Sequence, residues 1–411
     1  MAIQSDPTYP SSSLIDTARS INTTLRKNLR TNEECMLRRH MLTALIERNG
    51  GVEPNVSGAG FEWNVQDRIH TSDANDGTQR REFAPQNLYR MANLQFGGMD
   101  TKDSIRKGEL LANRGREAVI RVGEKMNERL EKSTMQNFAQ RFYDSGDDTS
   151  FKIYGFESFC GVKTSANVDR AFDWGTAGAT PSNTEENNAV GDPIMVPQDE
   201  YAGIDTDLGA YGGTQASGGW PEGQASPQFD FWSPLLINTN STFFGAITSP
   251  TGWQDNAVDA IRFGLGHAKR NDVDDDIDLI LMDRTMLIQL QNQLLSGNER
   301  VMVTSQNGVK SFGFKNVFEI DGVECSTEAY VPTSTVNRAG ALDTVVRAAY
   351  GFSSKNIKIM SRFPNLFHVD EGSGTYTKET QSYDYCVEML CQLRFKSPRN
   401  FIKWAGYSAT S

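Results

Sequence analysis

The sequence has few cysteines, and it has no long apolar run. Five cysteines in 411 residues are too few for a disulfide framework and indicate a reducing compartment at synthesis. No apolar run approaches the roughly 18 residues that a membrane helix needs. The N-terminus also lacks the basic start and apolar stretch of a secretory signal. We therefore expect neither a membrane partner nor a small disulfide-rich secreted fold.

Positive charge is missing from one long segment. Residues 171–261 contain no Lys or Arg but carry 12 of the 52 acidic residues, in a chain of net charge −11. The rest of the chain is almost neutral, with 40 acids and 41 bases. This distribution excludes a basic surface that wraps nucleic acid. Part of the segment, residues 171–228, is rich in Gly, Asn, Thr and Ser and is predicted to be a loop region.

Sequence patterns for catalysis, cofactors and metals are missing as well. No histidine adjoins a plausible nucleophile, and no glycine-rich nucleotide motif occurs. Cys386 and Cys391 do not have zinc spacing, and Cys391 falls on the apolar face of a predicted strand. The acidic run that ends at Asp278 resembles a calcium loop, but Ile277 replaces the glycine that such a loop needs. The sequence therefore predicts no catalytic, cofactor-binding or metal-ligating residues, and a protein that is not an enzyme.

The N-terminal third predicts an arm, a hairpin and a long helix. Residues 1–13 read as an extended arm, and helical periodicity follows from Leu14 to Arg48, with a break near Thr31 and a stop at Asn49-Gly50-Gly51. A hairpin is predicted next. Its first strand alternates apolar and polar residues from Phe61, its tip spans 71–81, and its second strand runs to Phe96 and ends at Gly97-Gly98. Residues 101–144 then predict one long helix.

The C-terminal half predicts an α/β block and a long strand. The block contains a helix over 254–270, a buried strand over 277–282, a helix capped by Asp283, a strand over 301–304, and a hairpin over 316–331 that turns at Asp321-Gly322. Apolar and aromatic residues then occupy every odd position from Tyr383 to Phe395, which predicts an unusually long strand with one buried face. We expect this strand to pack on the 101–144 helix.

The order of these elements resembles a tailed-bacteriophage major capsid protein of the Hong Kong 97 type. The C-terminal segment 394–401, RFKSPRNF, is similar to a proline-plus-aromatic ending common in that family. The resemblance implies an α+β fold with an N-arm, an E-loop hairpin, a long spine helix on a long β-sheet and a central A-domain. The resemblance assigns the following ranges: 1–50 the N-terminal arm, 51–100 the E-loop, 101–235 the P-domain with the spine helix 101–144 and the loop region 171–228, 236–345 the A-domain, and 346–411 the returning P-domain strands and C-terminus.

The same resemblance implies a function and partners. The chain would self-assemble through pentamers and hexamers into the icosahedral head that encloses a double-stranded DNA genome, with the DNA a partner by proximity only. It would be synthesised in the host cytoplasm and located in the virion. The chain has no charged coiled-coil segment ahead of the arm, so a separate scaffolding protein is expected, with a portal and a decoration protein as further partners. No cross-linking Lys/Asn pair carries over. An encapsulin-like compartment shell, and a phage tail or surface-binding structural protein, remain alternatives.

Seven residues are predicted to contact neighbouring subunits. The hairpin strand and its tip contribute apolar and basic side chains, and the arm contributes two further bases. They are Phe61, Trp63, Val65, Arg80, Arg81, Arg26 and Arg30.

Overall fold

A computed structural model describes the chain in separate ranges, which divide between two compact units. The described residues are 21–29, 37–38, 40–66, 88–112, 116–146, 151–160, 194–195, 200–206, 232–239, 244, 252–268, 277–296, 318–331 and 347–406. The first unit comprises Met1–Gly58, Phe96–Gln140 and Ile359–Gln392, and the second comprises Ala59–Gln95, Arg141–Lys358 and Leu393–Ser411.

Helices and strands alternate along the described ranges. The helices are α1 (21–29), α2 (Met41–Arg48), α3 (Lys107–Ala112), α4 (Arg116–Arg141), α5 (Gly252–Ala268) and α6 (Arg284–Ser296). The strands are β1 (Val52–Glu53), β2 (Gly60–Gln66), β3 (Tyr89–Gln95), β4 (Gly97–Arg106), β5 (Ile194–Met195), β6 (Glu200–Tyr201), β7 (Ile204–Asp205), β8 (Leu235–Asn238), β9 (Leu279–Met282), β10 (Phe318–Ile320), β11 (Val323–Thr327), β12 (Arg347–Phe352), β13 (Ile357–Ser361), β14 (His368–Val369), β15 (Thr375–Thr377), β16 (Ser382–Phe395) and β17 (Phe401–Gly406). This mixture confirms the predicted α+β class. Within these ranges no helix has the length and apolar character needed to cross a membrane.

The first unit is built around β16. This strand pairs antiparallel with β4 along ten consecutive residues, from Gly97 opposite Cys391 to Arg106 opposite Ser382. The short strands β14 and β15 also pair with it, and β13 links it to β1. All the odd-numbered side chains from Tyr383 to Phe395 are buried. The long strand predicted from the alternation is therefore confirmed.

The long helix is shorter than predicted, because its first residues belong to a strand. Residues 97–106 form β4, and the helical stretch begins only at Lys107. Gly97-Gly98 therefore starts a strand instead of ending the hairpin. The buried residues of β4 include Met99, Thr101 and Ile105, and the residues between them are exposed or partly exposed. Burial thus alternates along β4 as it does along β16, which is typical of a strand with one buried face. The P-domain boundary predicted between residues 100 and 101 falls inside this strand.

Helix α4 contacts this sheet through β4. It has 26 residues and is about 39 Å long. Nε of Arg129 on the helix donates to Oδ2 of Asp103 on β4 at 2.8 Å. Further along the helix, Phe138 packs edge-on against Phe367, with 6.5 Å between ring centroids. The contact with Asp103 places α4 on the side of β4 to which its odd-numbered side chains point. Packing of β16 itself on the long helix stays a prediction.

The second unit contains a seven-stranded mixed sheet in the order β10-β11-β9-β12-β17-β8-β5. Helices α5 and α6 contribute Ile261, Met286 and Leu290 to a core shared with Ile280 and Trp404 of the sheet. A side chain at Gly264 would have its Cβ only 2.8 Å from the Trp404 ring, so the close approach of α5 to the sheet requires glycine there. The separate ribbon β2–β3 and the small hairpin β6–β7 belong to the same unit.

Three local predictions are confirmed by backbone geometry. Oδ2 of Asp283 accepts a hydrogen bond from N of Thr285 at 3.0 Å and so caps the start of α6. Asp321 and Gly322, with φ of 50° and 86°, form the turn between β10 and β11. Gly50, with φ of 65°, ends α2. The strand predicted over 301–304 lies outside the described residues.

Candidate subunit interface

The β2–β3 ribbon carries three of the residues predicted to contact neighbouring subunits. Its strands pair antiparallel from Gly60 opposite Gln95 to Gln66 opposite Tyr89. Phe61 and Val65 are 8% and 7% exposed, and Trp63 is partly buried. These side chains share the inward face of the ribbon, so the alternation predicted for the first strand is confirmed.

Trp63 anchors the ribbon to its own unit. Its Nε1 donates to the backbone carbonyl of Lys396 at 3.0 Å. Its ring stacks on Phe61 at 5.7 Å and approaches Tyr201 at 6.4 Å between centroids. The indole N–H of a tryptophan at a partly buried position usually finds such an acceptor. The hydrogen-bond donor of Trp63 is therefore paired within the chain itself.

Tyr201 is the residue on which this anchor rests. Its hydroxyl donates to the carbonyl of Leu393 at 3.2 Å and accepts from N of Phe395 at 3.1 Å. Its ring stacks on Trp232 at 6.0 Å. Burial raises the pKa of Tyr201 well above its ordinary value, so the hydroxyl stays protonated and can act as the donor. Sequence reasoning missed this residue, because its hydrogen-bond partners lie almost two hundred positions away.

A second contact fixes the edge of the ribbon. N of Asn93 on β3 donates to the carbonyl of Ala202 at 3.0 Å, at the turn between β6 and β7. An isolated two-stranded ribbon is only marginally stable in water. The contacts of Trp63 and Asn93 stabilise the base of this hairpin without a neighbouring subunit. An interface role for Phe61, Trp63 and Val65 remains a prediction, since their described contacts are to their own chain.

The outward face of the ribbon is exposed and nearly uncharged. Tyr89 and Met91 are 58% and 62% exposed and lie two residues apart on β3. Their cross-strand partners are Gln66 and Asn64. Aromatic residues and Met are enriched in protein interfaces, from whose centres charged residues are depleted. The sequence prediction missed this pair because it considered only the apolar face of β2. The large apolar residues at exposed positions of β3 would have indicated it.

The basic residues of the predicted interface are only partly described. Arg26 lies on α1, where its Nη2 donates to the carbonyl of Asp370 at 3.4 Å. The nearby Asn22 donates to the carbonyl of Ser373 at 2.8 Å, so α1 packs on the turn between β14 and β15. Arg30, Arg80 and Arg81 lie outside the described residues. Arg26 and the ribbon belong to different units.

The described cysteines are packing residues. Burial raises the pKa of Cys391 to about 12, and burial together with the nearby carboxylate of Asp100 raises the pKa of Cys386 to about 11. Both thiols therefore remain protonated at neutral pH and are poor nucleophiles. Among the described residues, no three His, Cys, Asp or Glu side chains are grouped so that they could hold a metal ion.

We expect single alanine replacements of His40, His267, His368 and the four described cysteines to leave particle assembly qualitatively unchanged. His368 packs on the Phe363 ring, and its Nε2 is 3.9 Å from Oε1 of Glu388, a weak contact on an exposed face. Particle counts by electron microscopy, with circular dichroism as a folding control, would check this expectation. A folded variant that loses assembly would indicate a chemical role for the replaced residue.

Comparison with known proteins finds similarity in structure but not in sequence. No family model matches the chain, and no curated protein is similar in sequence. The capsid of cyanophage P-SCSP1u is similar over 88% of this chain and 86% of its own, with 11% identity and a TM-score of 0.44. The capsid of a native GTA particle is similar over 88% and 90%, with 10% identity and a TM-score of 0.47. The SrpI encapsulin of Synechococcus elongatus is similar over 88% and 86%, with 11% identity and a TM-score of 0.42. The solved structures to which this chain is similar therefore include capsids as well as an encapsulin.

Proposed function

We propose that this chain is a structural shell protein that self-assembles into a closed icosahedral particle, the major capsid protein of a tailed bacteriophage. In this proposal the chain has the Hong Kong 97-type fold and encloses double-stranded DNA. It functions in the virion after synthesis in the host cytoplasm, and it is not an enzyme. The almost neutral charge outside residues 171–261 suits a wall that faces packaged DNA without gripping it.

The observation that carries the proposal is the β2–β3 ribbon. Its inward face is anchored in its own unit through Trp63, while its outward face exposes Tyr89 and Met91. A ribbon that is held at its base and exposes two large apolar side chains on its free side is suited to lie on another protein. In a shell the other protein is a further copy of the chain, and the same contact repeats around the particle.

The proposal also names partners and domains that the resemblance implies. The chain would form pentamers and hexamers, guided by a separate scaffolding protein and completed by a portal and a decoration protein. Residues 1–50 would be the arm, and the ribbon would be the E-loop. The sheet around β16 with helix α4 would be the P-domain, and most of the seven-stranded sheet with α5 and α6 would be the A-domain.

Light scattering on the purified protein tests this proposal. Coupled to size-exclusion chromatography, it should show particles of many copies, whereas a tail or surface-binding protein would remain a monomer or trimer. Nuclease-protected DNA inside particles isolated from an infection would distinguish a virus head from an encapsulin-like compartment, which would hold protein cargo. A monomer or trimer, also when the chain is expressed with its neighbouring genes, would contradict assembly into a shell.

The hairpin tip supplies a sharper variant. We expect the double change Arg80→Glu with Arg81→Glu to block the formation of closed particles while leaving subunit solubility and thermal unfolding almost unchanged. Exposed charges contribute only about 0–1 kcal/mol to folding, but reversed charges at a subunit contact oppose association and register. The two residues lie between β2 and β3 in the sequence, beyond the part of the ribbon anchored by Trp63.

Circular dichroism melts and particle counts by microscopy would be measured on the same samples. Lys378→Glu is the matched control, because Lys378 is exposed on a turn and its replacement also reverses a positive charge. Normal particles from the double variant would show that the tip is a solvated loop. Loss of folding would show instead that the tip packs within its own subunit.

A further inference from the structure

Strand β4 presents a long open edge. It pairs with β16 along one side for its full length, and in the described part of the chain no strand pairs with its other side. The carbonyls of Asp384 and Cys386 on β16 accept from Gly374 and Asp370, on the side of β16 away from β4. The odd-numbered residues of β16 and β4 therefore bond each other, and the even-numbered residues of β4 direct their N–H and C=O groups outward.

Charged side chains alternate along this open edge. Asp100 and Lys102 have side chains 52% and 73% exposed, on the face of the sheet opposite to α4, and their charged atoms are 3.8 Å apart. Proteins usually protect an open edge with charged side chains, lysine above all, which discourage pairing with a second edge. An edge with one acid and one base two residues apart is instead complementary to itself when a second copy runs antiparallel.

The residue opposite Asp100 on β16 is a second acid and not a cation. Glu388 lies directly opposite Asp100 on that strand, and like charges in this position are destabilising. Burial raises the pKa of Glu388; His368 lowers it, and the carboxylates of Asp370 and Asp100 raise it further. The exposed face of the sheet therefore carries an excess of negative charge beside β4, which a cation from outside the subunit would relieve.

We propose that two copies of this chain pair their β4 edges antiparallel about a two-fold axis, with Asp100 of each copy opposite Lys102 of the other. Both residues direct their backbone groups outward, so this register forms ladder hydrogen bonds between them. It is centred on Thr101 and overlaps residues 97–105 of both copies. A register shifted by one step of the ladder places Lys102 opposite Lys102 and is disfavoured. Asp100 then lies between Glu388 of its own chain and Lys102 of the second copy.

This inference deepens the proposed function, because it names one contact between copies in the shell. An edge-to-edge contact about a two-fold axis is isologous, and it buries little surface. It would stabilise a closed particle because it is repeated at every such axis. Its test compares variants with the wild-type particle. Failure of the wild-type protein to assemble would contradict the proposed function, whereas assembly that ignores changes at β4 would contradict only this contact.

Charge reversals test the contact directly. Lys102→Asp and Asp100→Lys should each cause loss of closed particles, because each variant places like charges opposite one another twice at every two-fold axis. The double variant Asp100→Lys with Lys102→Asp restores both opposite pairs and should recover assembly. In the isolated subunit Asp100→Lys exchanges the repulsion from Glu388 for attraction but also loses the 3.8 Å pair with Lys102, so its melting temperature should stay close to that of the wild type. Lys378→Glu again controls for a simple change of charge and should assemble.

A cross-linking experiment tests the register. Cys386 lies directly opposite Lys102 on β16 and is replaced by Ala in both chains, so that it cannot form a disulfide within one subunit. Full-length chains carrying Asp100→Cys with Cys386→Ala, mixed before assembly with chains carrying Lys102→Cys with Cys386→Ala, should form disulfide-linked dimers under mild oxidation. Each variant alone should cross-link far less, because identical positions are not opposite in this register. Assembly of the single charge reversals at wild-type yield would overturn the contact. Failure of the double variant to recover assembly, or equal cross-linking in the unmixed samples, would also overturn it.

Discussion

Replacing Val387 with Asp is expected to abolish soluble folding of the chain. Val387 is fully buried in β16, where it lies between Thr101 of β4 and Val369 of β14. A carboxylate there would be buried without a partner, at a cost of several kcal/mol. Domain stability is only about 5–15 kcal/mol in total. Leu393→Asp, at a residue of the same strand that is also fully buried, should have the same effect.

The soluble fraction after expression and the circular dichroism spectrum of any soluble protein would measure this effect. Glu388→Gln is the matched control, because Glu388 is the next residue of β16 and its side chain is 28% exposed on the other face. The control should remain soluble. A soluble Val387→Asp variant with a native spectrum would show that the odd-numbered face of β16 is not in the core.

Replacing Lys403 with Met is expected to destabilise the second unit strongly. Nζ of Lys403 is 2.8 Å from both carboxylate oxygens of Glu157, and the lysine side chain is only 2% exposed. The hydroxyl of Tyr350 donates to the same carboxylate. Removing one partner of a buried ion pair costs about 3–5 kcal/mol, because the other charge stays buried and unpaired. We expect the melting temperature to fall by about 10 °C.

The double variant Lys403→Met with Glu157→Gln distinguishes the unpaired charge from lost packing. The amide of the replacement has no charge and still offers Tyr350 an acceptor, so most of the lost stability should return. Thermal unfolding followed by circular dichroism would measure both variants. A single variant that melts within about 1 °C of the wild type would contradict the buried ion pair.

The elements predicted correctly from the sequence are those with a local signal. The alternation from Tyr383 to Phe395, the cap at Asp283 and the turn at Asp321-Gly322 each depend on residues within a few positions of one another. Their backbone preferences are therefore visible without knowledge of the tertiary structure. The ribbon strand β2 belongs to the same class, because its apolar face repeats every second residue.

The features missed depend on contacts distant in sequence. The apolar stripe that begins at Ile105 predicts helix for residues 101–106, but pairing with β16, which lies almost three hundred residues later, makes them a strand. Tyr201 and Lys403 likewise acquire their roles from partners 192 and 246 residues away. All seven predicted interface residues come from the apolar face of β2 or are arginines. The exposed pair Tyr89 and Met91 becomes evident only when the register of β3 is known.

The most direct test of the account is negative-stain electron microscopy of the wild-type chain expressed together with its neighbouring genes. Assembly into a shell predicts closed, uniform particles with icosahedral outlines, whose wall consists of this chain. Purified protein that remains as single subunits or small oligomers under the same conditions, while folding normally by circular dichroism, would contradict it.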